Sequence, residues 1–130
     1  MNRARIDKFS AIEGTAVRLQ NRVAFNDGSL VTQADVVTWS VRVFTTPTGK
    51  LVKVLVDESA DATVNFFDTL QTDNGWSRDA TGYNFEYVID GNAFKIEGGR
   101  SYRFEFYVTT ADEKIKWIWD GYYEPWMGAR

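Results

Sequence analysis

Cysteine and histidine are both absent from the 130 residues of this chain. Without cysteine there is no disulfide, no thiol nucleophile and no thiolate zinc site. Without histidine there is no Ser-His-Asp triad, no imidazole metal ligand and no imidazole pH switch. Proton transfer would fall to carboxylates, and nothing in the spacing of the 18 acidic residues singles out a pair suited to glycoside hydrolysis. No enzyme activity and no cofactor are therefore expected. Long apolar runs are also missing: the longest are three residues, such as Trp117-Ile118-Trp119. A membrane helix needs about 20 such residues and a secretory signal about 7–15, so neither is expected. Basic residues are too few for a nonspecific nucleic-acid binder: 15 Lys and Arg against 18 Asp and Glu leave a net charge of −3.

Aromatic rings are the abundant feature, with 5 Trp, 6 Tyr and 9 Phe. Aromatic residues favour strands and also favour binding surfaces, and the pattern decides between the two uses. From Thr15 onward it is alternation with a period of two, the mark of half-buried strands. Val17, Leu19, Val23 and Phe25 share one face, and Val37, Trp39, Val41 and Val43 another. Val52, Val54 and Val56 then complete a hairpin begun at the turn Thr46-Pro47-Thr48-Gly49. Val64 and Phe66 mark a short strand, and Tyr83, Phe85, Tyr87 and Ile89 a longer one. Tyr102, Phe104, Phe106 and Val108 alternate with Arg103 and Glu105, and Ile115, Trp117 and Trp119 return from a hairpin tip at Asp112-Glu113. Asn26-Asp27-Gly28-Ser29 and Asp90-Gly91-Asn92 are turns. Thr32 followed three residues later by Asp35 has the spacing of a capping box on a short helical turn.

About seven strands joined by short turns, with no long amphipathic helix, predict an all-β domain. An antiparallel β-sandwich of immunoglobulin-like layout is favoured over a small barrel. The domain is expected over residues 15–120. Residues 1–14 read as an N-terminal arm without clear periodicity, locally basic through Arg3, Arg5 and Lys8. Residues 121–130 read as a C-terminal aromatic tail. Trp117 and Trp119 belong to the core by their place on a strand face. Arg3 and Arg5 in the arm, and Tyr122, Tyr123, Trp126 and Met127 in the tail, are the candidate interaction residues. The tail rings gain little unless they dock, either on their own domain or on a neighbour.

Residues 57–90 hold eight carboxylates against one base, Arg78. Oxygen-rich loops bind Ca²⁺, but Asp73-Asn74-Gly75 lacks the spacing of an EF-hand loop. These acids are expected to be solvated or to cap turns, and no metal site is expected. Residues 68–79 show no strand period and read as an ordered loop with one helical turn near Leu70.

Within residues 64–107 the order Phe67-Asp68-Thr69-Leu70-Gln71-Thr72-Asp73, then Trp76, Asp79 and Thr81-Gly82-Tyr83-Asn84-Phe85, then Gly99-Arg100-Ser101-Tyr102-Arg103-Phe104-Glu105-Phe106, resembles small structural proteins of tailed phages. The resemblance extends over roughly residues 15–119 and leaves out the tail from Tyr122. It implies a virion protein, first of all a capsid decoration or cement protein on the shell surface, assembled in the host cytoplasm. Its implied partners are the major capsid protein and further copies of itself, as a homotrimer on local threefold positions. A head–tail adaptor, tail or baseplate module is the alternative within the virion. A carbohydrate-binding sandwich is the alternative outside it, with Trp76, Tyr83, Tyr122 and Trp126 as ring candidates.

Overall fold

A computed structural model describes residues 5–46, 48–58, 61–76 and 79–126, with residues 5 and 6 described by backbone alone. Among them are eight strands and one 3₁₀ turn, with no α-helix. The strands are β1 (Arg5–Ile12), β2 (Val17–Asn21), β3 (Thr38–Thr45), β4 (Leu51–Val56), β5 (Phe66–Gln71), β6 (Tyr83–Ile89), β7 (Arg100–Thr109) and β8 (Lys114–Glu124). Five strands form one sheet in the order β1-β8-β7-β3-β4, and three form a second in the order β2-β6-β5. All pairings are antiparallel except β1 with β8, which is parallel.

The two sheets close on rings. Trp39 from β3 lies edge-on to Phe66 and Phe85 of the smaller sheet, at 5.4 and 5.5 Å between centroids. Phe85 approaches Phe106 of β7 at 4.2 Å. Toward the other end Phe94, Tyr102, Phe104, Tyr123 and Phe9 form a chain of ring contacts between 5.1 and 6.0 Å. Trp117 and Trp119 are buried, as their strand face requires. Each buried ring adds a large apolar area to the core, so aromatics here serve strand packing first.

Residues 5–12, expected within an arm, form a strand. β1 runs alongside β8 for its whole length, with Phe9 directly opposite Gly121. A β-carbon at Gly121 would collide with the Phe9 ring, so the glycine is the socket into which that ring fits. The sheet also extends past Trp119. β8 continues to Glu124, and Trp117, Trp119, Gly121 and Tyr123 all face the core. Gly121 interrupts the run of large inward side chains, which is why the sequence reads as a tail from that point. Glu13 then clamps the end of β8. Its carboxylate accepts the backbone N–H of Gly98 at 2.8 Å and of Trp126 at 2.9 Å.

Three further local readings change. β5 reaches Gln71, so the segment expected as a loop from residue 68 begins as strand, with irregular pairing to β6. β4 carries two register shifts against β3, and these break the expected common face of its valines. β2 ends at Asn21, and the chain from Val23 to Val31 folds over the sheet as a separate loop. Buried Asn84 holds that loop. Its Oδ1 accepts the Val23 N–H at 2.6 Å, and its Nδ2 donates to the carbonyls of Val23 at 2.9 Å and Val31 at 3.0 Å. A side-chain amide thus replaces a strand partner. The 3₁₀ turn Gln33–Asp35 does carry the expected capping box: the Asp35 carboxylate accepts the Thr32 N–H at 2.9 Å.

Candidate functional site: the outer face of the five-stranded sheet

Outward residues of β7, β8 and β3 lie between the aromatic positions that face the core. Register brings them into rows that cross the sheet. One row runs Lys8, Asp120, Arg103, Phe44 and Leu51 through all five strands. Arg103 Nε donates to Asp120 Oδ1 at 3.3 Å. The next row runs Ile118, Glu105, Arg42 and Val54. Lys116 approaches Glu105 at 3.5 Å, and the Tyr107 hydroxyl donates to the same carboxylate. The Arg42 guanidinium and the Lys116 ammonium lie 5.8 and 5.3 Å from the Tyr107 ring centroid. Burial, and then the bond to Glu105, push the Tyr107 hydroxyl above the usual tyrosine range.

A groove of about 750 Å³ opens on this face. Lys8, Phe9, Phe44, Arg103, Asp120 and Tyr122 are among the residues that line it. The lining offers both charge signs, several hydroxyls and three partly exposed rings, Phe9, Phe44 and Tyr122.

The candidate residues fall into different places. Tyr122 lies on this outer face and is 41% exposed. Trp126 is 65% exposed, just beyond β8. Tyr123 is fully buried against Tyr102 and Phe9, so it is a core residue of its own chain and not a contact residue. Burial, with a smaller effect from Tyr102, pushes its hydroxyl up to about 12. Arg5 sits in β1 by backbone alone, and Arg3 and Met127 lie outside the described residues. Of the four rings considered for sugar binding, Tyr83 is fully buried, and Trp76 packs on it at 5.5 Å while its indole N–H donates to Asp79. They form no open platform with Tyr122 and Trp126. The outer-face rows were missed from sequence because they join residues from five separate strands. The polar members of the β7 alternation, Arg103 and Glu105, were their only local sign.

The acids of residues 57–90 are dispersed into local structure. Asp61 accepts the Thr63 N–H, Asp68 the Gln33 N–H, and Asp73 the Tyr83 hydroxyl. Asp79 receives Arg22 through both carboxylate oxygens, at 3.3 and 3.0 Å, together with the Thr81 and Gly82 N–H groups. The Arg22 bond, then the backbone donors, hold its carboxyl well below the usual range. Among the described residues no three acidic side chains converge on a point that would hold a metal ion. No protein family, curated protein or solved structure matches the chain.

Proposed function

We propose that this chain is an immunoglobulin-like structural protein of a phage virion, a capsid decoration protein that docks on the shell through the outer face of its five-stranded sheet. Three features support the immunoglobulin-like type. The β8-β7-β3 and β2-β6-β5 groupings follow its strand layout, with the first strand beside the last. Trp39 is buried on the third strand. The Tyr102 hydroxyl accepts the backbone N–H of Glu97 five residues upstream, at 3.0 Å, which is the geometry of a tyrosine corner at the start of β7. Phe104 stands two residues further on, where antibody domains place a disulfide cysteine, and ring packing takes over that role in this cysteine-free chain.

The observation that carries the docking role is the groove, with its row of Lys8, Asp120, Arg103 and Phe44 on a sheet whose opposite face is a closed aromatic core. Interfaces of this kind gather aromatic and arginine side chains at their centre. The resemblance of residues 64–107 to tailed-phage structural proteins supplies the setting, the major capsid protein as partner and the capsid surface as location. Cryo-electron microscopy of the virion should show this chain in many copies across the shell. Bare capsomers, or about a dozen copies in a ring at one vertex, would refute decoration, and the ring would identify an adaptor. Arg103→Glu should abolish co-sedimentation with shells while leaving the fold intact.

A further inference from the structure

The chain leaves one sheet edge open in an unusual way. Among the described residues β4 pairs only with β3, so its other side presents unpaired backbone groups. Its sequence is Leu51-Val52-Lys53-Val54-Leu55-Val56, five aliphatic residues out of six. Leu51, Val52 and Val54 are between 38% and 47% exposed. Protein edges are normally blunted by charge, proline, a β-bulge or a covering loop. The other edges follow that rule: β1 carries Asp7 and Lys8, β2 carries Arg18, and β5 carries Asp68. β4 has one charge, and Lys53 directs its ammonium to the Ala93 carbonyl at 2.8 Å. The two register shifts against β3 bend this strand, but no charge on it is turned to the open edge.

Its flanks carry the partner information. Lys50 precedes the strand, and Asp57 and Glu58 follow it. Glu58 lies 3.8 Å from Arg42 and stays largely exposed. A strand that is basic at its start and acidic at its end complements itself only when the copies run antiparallel. Centred on Val54, such a pairing sets Lys50 opposite Glu58 of the copy, twice, and Val52 opposite Val56. A parallel pairing would oppose like charges.

We infer that two copies of this chain join edge to edge through β4, antiparallel about a two-fold axis, into one continuous ten-stranded sheet. The partner is a second copy because the edge is self-complementary in both hydrophobicity and charge. The contact is isologous and closes at two, unlike the threefold association expected from the resemblance. It stands independently of the virion reading, since it uses the free edge of β4, where Leu51 and Val54 end the outer-face rows, and none of the residues that line the groove.

Sedimentation velocity at roughly 100 μM, where even a small interface is populated, should give a dimer. Val54→Lys places two ammonium groups at the axis and should give a monomer whose thermal midpoint matches that of wild type diluted below its dimerisation range. Lys50→Glu alone and Glu58→Lys alone should each weaken the dimer about tenfold, because two cross-strand pairs turn repulsive. An equal mixture of these two variants should regain wild-type affinity, since both pairs in the mixed dimer are again of opposite sign. A wild-type monomer or trimer would overturn the inference. So would a dimer that survives Val54→Lys, or a mixture that stays as weak as its components.

Discussion

The contact between Phe9 and Gly121 invites a quantitative test. Phe9 is half-buried, and its ring lies on Gly121 and packs against Phe104 and Tyr123 at 5.9 and 6.0 Å. Gly121→Ala puts a methyl group where the ring sits. Overpacking of this kind costs about 1–3 kcal/mol, and the better backbone propensity of alanine returns about 0.5 kcal/mol, for a net loss of about 2 kcal/mol. Phe9→Ala removes a ring that is only partly enclosed, so it falls below the range of about 3–5 kcal/mol for a fully buried phenylalanine, at about 2 kcal/mol. With the ring gone, the new methyl has room. The double variant should therefore lose about 2 kcal/mol and not about 4, a coupling of about 2 kcal/mol. For a domain of this size each kcal/mol moves the thermal midpoint by about 4 °C. Calorimetry should place both single variants and the double variant about 8 °C below wild type. A double variant about 16 °C below would mean additive losses, and would refute the claim that ring and glycine fill one space.

Asn84→Leu should cost about 3 kcal/mol or more in urea unfolding, because it leaves the Val23 N–H and the Val31 carbonyl unpaired in the interior and the Val23 carbonyl with the Val31 N–H alone; a loss under about 1 kcal/mol would show that the amide is dispensable. Tyr123 has its hydroxyl buried without a protein partner and its folded pKa raised to about 12 from the ordinary 10. That group contributes stability fully present below pH 10 and lost as pH climbs toward 12, since only the unfolded chain releases the proton in that window. Tyr123→Phe should unfold less steeply with pH between those values, followed by circular dichroism, and an unchanged slope would refute the assignment.

Much of the architecture was open to reading along the chain. In β7 each aromatic residue alternates with a polar one, and no helical period competes with that pattern. Strand, inward face and core membership of Tyr102, Phe104 and Phe106 followed from it. The capping box at Thr32 and Asp35 was equally local. β1 was not, because Phe9 and Ala11 are spaced among charged residues and their partner lies more than a hundred positions away. β5 was hidden by irregular pairing around Phe66 to Gln71. Tyr123 was misplaced because Gly121 left no ring to continue the pattern, and only the distant Phe9 fills that gap.

The sequence by itself determined that the chain is all-β and that its rings would be buried between sheets. Period-two hydrophobicity and turn chemistry act over a few neighbouring residues, so they can be read from neighbours. Tertiary structure alone decided that β1 would lie beside β8, and that Lys8, Asp120, Arg103 and Phe44 would form one surface. It also left β4 as an edge without a guarding charge. Sheet order and register depend on contacts between segments far apart in sequence, and no local pattern encodes which segment will arrive alongside.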